Sequence, residues 1–324
     1  MEMKSRAAAV TRGSLVLISA LVALPVAAAE KSWTLAGGSL EVSTPCARQV
    51  DIVPASSARE ISVSAIADHQ EEIDALLVTG GGDRVTVTKQ GERCPFSRSR
   101  KQETMRLTIT MPAGGDLSVR EGGSGDYRVT VPVDRLDLRL SGSGGLKADR
   151  VAGPLDASLS GSGGADVREM AGKSASVHIS GSADVKIGGT IGSLEIDLSG
   201  SGGVAVAAAG AADLETSGSG SIRADSMDGA LSFEASGSGG LKVGSIQAPS
   251  VKIRTSGDGG VSINNGRIGS LQVTSHGSAD ARIDASADRA ELSTSGSGTI
   301  DVRQVSGTVS QKQTGSGRIR VHGS

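Results

Sequence analysis

Aromatic side chains are nearly missing: Trp33, Phe96, Tyr127 and Phe233 are the only 4 among 324 residues. That argues against a carbohydrate-binding surface made of exposed aromatic platforms. Cysteine is confined to Cys46 and Cys94, and without a third thiol or a nearby histidine there is no ligand set for a structural zinc ion. Histidine is limited to His69, His178, His276 and His322, too scattered for an acid–base or metal cluster, and nothing calls for a cofactor. Neither sign of charge dominates: 33 Lys and Arg stand against 35 Asp and Glu, a net charge of −2, which gives no reason to expect a nucleic-acid partner. Long apolar runs are absent except for one near the N-terminus.

That run explains itself. Lys4, Arg6 and Arg12 precede the apolar stretch "SLVLISALVA" (14–23), and "LPVAAAE" then offers small residues at Ala27 and Ala29 before Glu30. A basic region, a short apolar core and an A-x-A site make residues 1–29 a secretory signal peptide, too short to span a bilayer. Its removal takes away Lys4, Arg6, Arg12 and Glu2, so 33 basic residues fall to 30 and 35 acidic ones to 34, a net −4 for the mature chain. With no other long apolar segment, the mature chain is expected to be soluble and exported, periplasmic or secreted. In that oxidising setting Cys46 and Cys94 are expected to form a disulfide, worth about 4 kcal/mol by loop-closure entropy.

What the chain has in quantity is glycine, 47 residues, alongside enough aliphatic residues to bring the hydrophobic share to 37%. The glycines recur in order. Motifs of the type "SGSGG" start at Gly122, Ser141, Ser160, Ser180, Ser199, Ser217, Ser236, Ser256, His276, Ser295 and Thr314, at spacings of 18 to 20 residues. A flexible linker has no reason to keep a period; a stacked repeat does. Counting the motif start as position 1, positions 6 and 8 are apolar in every repeat, apart from the hydroxyl of Tyr127, while position 7 between them is mostly polar. The residues five and three before each motif repeat this alternation, from Leu117 and Val119 onward. Period two means strands with one buried face. A looser third segment carries Val151, Met170, Met227, Ile246 and Val305.

A 19-residue unit cannot bury its apolar face alone, but stacking equivalent strands in register can. The sequence therefore predicts an all-β, right-handed parallel β-helix. Residues 122–324 form the regular coils, with the glycine–serine motif as the corner, where glycine permits positive φ and close backbone approach. Residues 30–121 are less regular. They alternate as strands at 39–43, 59–65, 84–89 and 106–112, with a short helix expected in 68–78, and are read as the first coils plus a cap.

The irregular start with "GGDRVTVTK" and "RLTITMPAGGDLSV", followed by repeated glycine–serine coils, resembles the head GIN domain of putative auto-transporter adhesins. A related β-strand-repeat family of putative adhesins is the second resemblance. From about Leu35 onward the resemblance implies a β-helix at the cell envelope and brings no catalytic residues. The terminal "RIRVHGS" does not resemble the aromatic-ended last strand of a translocating barrel.

The main alternative is a polysaccharide-active β-helix enzyme, a lyase or hydrolase, which needs clustered acids and bases. Asp126, Asp184 and Asp280, each at position 5, fall in coils too far apart to pair. "GSGGADV" (161–167) only faintly resembles a calcium-binding turn, and no phosphate loop or nucleophile elbow is present. The one asymmetry is charge. Position 7 is basic in seven of eleven coils: Arg128, Lys147, Lys186, Arg223, Lys242, Arg282 and Arg320. Outward positions four and two before the motif collect Asp137, Asp156, Glu195, Asp197, Asp213, Glu215, Glu234 and Glu291. Stacking makes a basic and an acidic stripe, either a solvated surface or a docking strip for an anionic envelope polysaccharide or surface partner. The cysteine expectation is directly testable: in the exported protein both thiols should resist alkylation until reductant is added, and full labelling without reductant would remove the disulfide.

Overall fold

In a computed structural model, residues 28–43, 47–90 and 104–323 are described. Residues 1–27 of the expected signal sequence, Cys46 and Cys94 lie outside the described residues. Strand accounts for 66% of the chain and helix for 2%, wound as a β-solenoid of about 11 turns with coils of about 19 residues.

Each coil contributes three strand segments. The position 6–8 segments stack in unbroken parallel register from Tyr127 through Leu146, Ala165, Val185, Val204, Ile222, Leu241, Val261, Ala281 and Ile300 to Ile319. The segments before the motif stack likewise, Leu117 on Leu136, Leu155, Ala175 and Leu194. The third segment is ordered too: Ile191, Ala209, Met227 and Ile246 lie in one ladder and all are buried. Differences in coil length are absorbed beside this segment by register shifts, between Ile187 and Thr190 and between Ile283 and Ser286, where a bulge accommodates an extra residue without disturbing the stacked core. Phe233, the one large ring in its column, is 1% exposed between Leu214 and Ile253.

The corners are tighter than the sequence suggested, and for one reason rather than two. A Cβ built on Gly142 or Gly200 would overlap the carbonyl oxygen of the glycine below, Gly123 or Gly181. Positive φ is the lesser factor, because among the described corner glycines only Gly315 adopts it. Glycine is required there for close approach between layers.

The N-terminal region differs from a simple row of first coils. Strands Ser39–Ser43 and Gln49–Pro54 form one layer that pairs in parallel on both sides. One neighbour is the layer Leu117–Glu121 with Asp126–Val129, later in the chain. The other is Arg84–Lys89 with Arg106–Met111. The first layer in sequence is thus interleaved between two later ones. Beyond it the sheet edge is closed by antiparallel strands, Glu60–Ala67 on Arg106–Met111 and Ala29–Ala36 outermost. A covered or charged edge prevents further strand addition, and here Lys31 sits 4.9 Å over the Trp33 ring on that last strand.

The expected helix shrinks to Gln70–Asp74. From Leu76 the chain is a strand paired antiparallel with Arg84–Lys89 around Gly82, which has φ +65°. A hairpin turn of this kind outcompetes a one-turn helix extension. The helix is anchored by the buried Glu72 carboxylate, which accepts from the Thr104 and Met105 amides at 2.9 and 3.0 Å and from the Thr104 hydroxyl at 2.7 Å.

Val243 is fully buried and stacks between Ala224 and Ile263. Val243→Asp places an unpaired carboxylate in that column and should cost several kcal/mol; thermal unfolding within a degree or two of the parent would contradict this register.

Candidate functional site

The seven basic residues of position 7 share one ladder, interrupted at four places. Arg128, Lys147, Asp166, Lys186, Ala205, Arg223, Lys242, Ser262, Arg282, Asp301 and Arg320 follow one another across a single parallel ladder, all on its outward face. Neighbours are about 4.8 Å apart. Their partners divide them. Arg223 meets Asp225 at 3.4 Å, and Arg282 meets Asp284 at 2.9 Å, which raises the Arg282 pKa further above its ordinary value through that hydrogen bond and charge. Arg128, Lys147, Lys186, Lys242 and Arg320 have no carboxylate within ion-pair distance among the described residues.

At the cap end this ladder lines a groove of about 740 Å³. Arg128, Lys147 and Lys186 wall it together with Asp126, Asp149, Asp166 and Asp184. Most of these carboxylates are occupied. Asp126 accepts from the Gly145 amide at 3.1 Å and Asp184 from the Gly203 amide at 2.8 Å, while Asp149 faces Arg168 at 3.5 Å. Asp280 repeats the arrangement on the Thr299 amide at 2.7 Å. The position 5 aspartates therefore brace the next coil, a structural duty the sequence did not disclose. Asp166 is left as the one carboxylate of the groove without a hydrogen-bond or ion-pair partner among the described residues, in register between Lys147 and Lys186.

The acidic residues lie on the face across the corner. Asp137 stacks on Asp156, Glu195 on Asp213, and Asp197 on Glu215 and Glu234. Lys252 and Arg254 interrupt these ladders, and Glu291 falls several coils away. Among the described residues no group of three or more His, Cys, Asp or Glu side chains is placed to hold a metal ion. His276 meets the hydroxyl of Ser295 at 2.7 Å and His322 meets Asp301 at 2.9 Å, each a contact between neighbouring coils. His178 lies in a separate coil.

One pair escaped the sequence reading. Glu121 precedes the first motif, in a column that continues with Leu140, Leu159, Ile179 and Leu198, and it is 5% exposed. Its carboxylate accepts from the Tyr127 hydroxyl at 2.7 Å and the Gly123 amide at 2.6 Å. Burial pushes the Glu121 pKa above the usual carboxyl value, with its hydrogen bonds opposing; burial and the neighbouring carboxylate hold Tyr127 protonated well above its ordinary range. The signal was a lone acid in an apolar column beside the one tyrosine of the chain.

A β-solenoid with charged outer ladders is the class these features define. The sequence matches the family described as putative auto-transporter adhesin, head GIN domain, over residues 101–210 and 203–324, and the chain belongs to that family. No curated protein sequence matches it. Among solved structures, a putative adhesin from Bacteroides fragilis is 14% identical, covering 90% of this chain and 97% of its own, with a TM-score of 0.35. A putative adhesin from Parabacteroides distasonis is 12% identical over 89% and 98%, with a TM-score of 0.42. A putative lipid binding protein from the same organism is 13% identical over 90% and 96%, with a TM-score of 0.32. Family membership points to an adhesin-like role at the cell surface or outside it. No helix among the described residues is long and apolar enough to cross a membrane.

Replacing Glu121 by Leu leaves the Tyr127 hydroxyl and Gly123 amide without partners and should cost about 1–3 kcal/mol; Glu121→Leu with Tyr127→Phe should recover most of it. Because the folded Glu121 pKa lies above its unfolded value, folding favours the protonated acid. This contribution is present at low pH and is lost as pH rises through the raised pKa. Urea unfolding of parent and double variant across acid to neutral pH should show that difference in slope, and identical slopes would count against it.

Proposed function

We propose that this protein is an exported, non-catalytic module of the cell envelope, periplasmic or secreted, whose position 7 ladder contacts an anionic envelope polysaccharide. The observation that carries the reading is the unpaired set Arg128, Lys147, Lys186, Lys242 and Arg320 on one outward ladder, three of them around the groove at the cap end. A row of cations at a fixed spacing attracts a polymer of repeated negative charge more strongly than scattered charges would. Asp166, Ala205, Ser262 and Asp301 interrupt the row, and Arg223 and Arg282 are already paired, so the contact is diffuse and weakens as salt screens it.

The test is reversal of Lys147, Lys186 and Lys242 to Glu. All three are exposed, and each exchange should move stability by no more than about ±0.5 kcal/mol. Retention of the purified protein on immobilised alginate at low salt should fall sharply. Equal retention of parent and triple variant would leave the ladder as a solvated surface.

A further inference from the structure

The opposite side of the corner carries a second groove, of about 430 Å³, within the size range of small-ligand sites. Its wall is the ladder two residues before the motif: Arg120 beside Arg139, then Ser158, then His178. Ser158 is the one short side chain in this run, so Arg139 and His178 stand as posts about 10 Å apart, two strand spacings, with a notch between them. The other wall is the first serine of successive motifs, Ser141 and Ser160, both exposed, whose backbone amides bond to the coil below while their hydroxyls have no hydrogen-bond partner among the described residues.

The two arginines differ. Arg120 is held by Glu41. Arg139 approaches Asp137 at 3.6 Å through Nε, which leaves its Nη fork without a protein partner among the described residues. A planar fork with two free donors suits a carboxylate or phosphate taken bidentately. Farther along, the same ladder turns acidic at Asp197 and Glu215, so negative charge is welcome at one end and repelled at the other.

We infer that this groove binds an oligosaccharide bearing a single terminal uronate, with the carboxylate on the Arg139 fork and neutral sugar units lying along the coil axis across the Ser158 notch against Ser141 and Ser160. The rise per coil is close to the length of one pyranose unit in an extended chain, so hydroxyls of consecutive sugars meet consecutive serines. The acidic ladder beyond His178 takes donated sugar hydroxyls and rejects a chain carrying a carboxylate on every unit. A free phosphate or sulfate would fill only the guanidinium end and leave the serine wall unused. This site lies across the corner from the position 7 ladder and stands independently of the role proposed for that ladder.

The experiment is calorimetric titration of the whole protein with a xylo-oligosaccharide ending in one glucuronate, beside neutral xylotetraose and inorganic phosphate. The acidic sugar should bind at least about tenfold more tightly than either control, as expected for a charge-assisted bidentate contact. Arg139→Gln should erase the advantage over xylotetraose. Ser158→Phe, an outward strand position that tolerates an aromatic ring, should fill the notch and abolish saturable binding. The Lys147, Lys186 and Lys242 reversal should leave it within about twofold, since long-range terms are screened at ordinary salt. No saturable binding of the acidic sugar, binding unchanged in Arg139→Gln, or phosphate binding as tightly as the sugar would each overturn the assignment. Loss of binding in the lysine variant with retention in Arg139→Gln would move the sugar to the other ladder and overturn it as well.

Discussion

Everything in this solenoid depends on how closely its corners can stack. At the second motif position the backbone of each coil lies against the carbonyl of the coil below, so tightly that one methyl group at Gly142 or Gly200 has no room. With the corners in contact, the flanking strands fall at hydrogen-bonding distance and in register, and each apolar column closes on itself. The same closeness puts outward side chains into ladders. Charge on this surface is therefore a property of columns, and one substitution alters a position in an array rather than an isolated spot.

The regular coils were legible because two signals coincided, a 19-residue spacing and an alternation of apolar and polar residues. Together these placed Leu146 over Tyr127 and Val243 over Ala224 without coordinates. Other features left no such trace. The residue before the motif is inward-facing, yet that column passes from Leu140 and Leu198 to Thr216, Thr255, Ser275 and Thr294, so its polarity concealed its burial. Glu121 was hidden in the same way. The duty of Asp126, Asp184 and Asp280 on the next coil's amides is a contact between coils, invisible to a pattern that runs along the chain. The shorter helix follows from the hairpin at Gly82, a turn preference that prevailed over a weak helical one.

The two candidate surfaces use opposite physics. On the position 7 ladder the useful groups are flexible lysines in high dielectric, attractive at a distance and indifferent to shape. In the second groove a guanidinium fork, a short residue between two long ones and rows of hydroxyls define a shape, with a gradient of charge that gives it direction. Both flank the same corner and occupy the coils nearest the cap, where the column is braced by the antiparallel strands. Recognition by fixed geometry benefits from side chains held on paired strands.

The interleaved N-terminal layer separates the order of synthesis from the order of assembly. Strands Ser39–Ser43 and Gln49–Pro54 are the first parallel strands to emerge, but both faces they must pair with belong to later segments, the last of which ends at Val129. A growing or translocating chain cannot complete its first layer until that point, and meanwhile its earliest strands wait unpaired. Each later coil needs only the coil before it and can add in sequence order. The entropic cost of closing long loops is thus concentrated at the start of the molecule, whereas the rest of the column extends by local, coil-on-coil contacts.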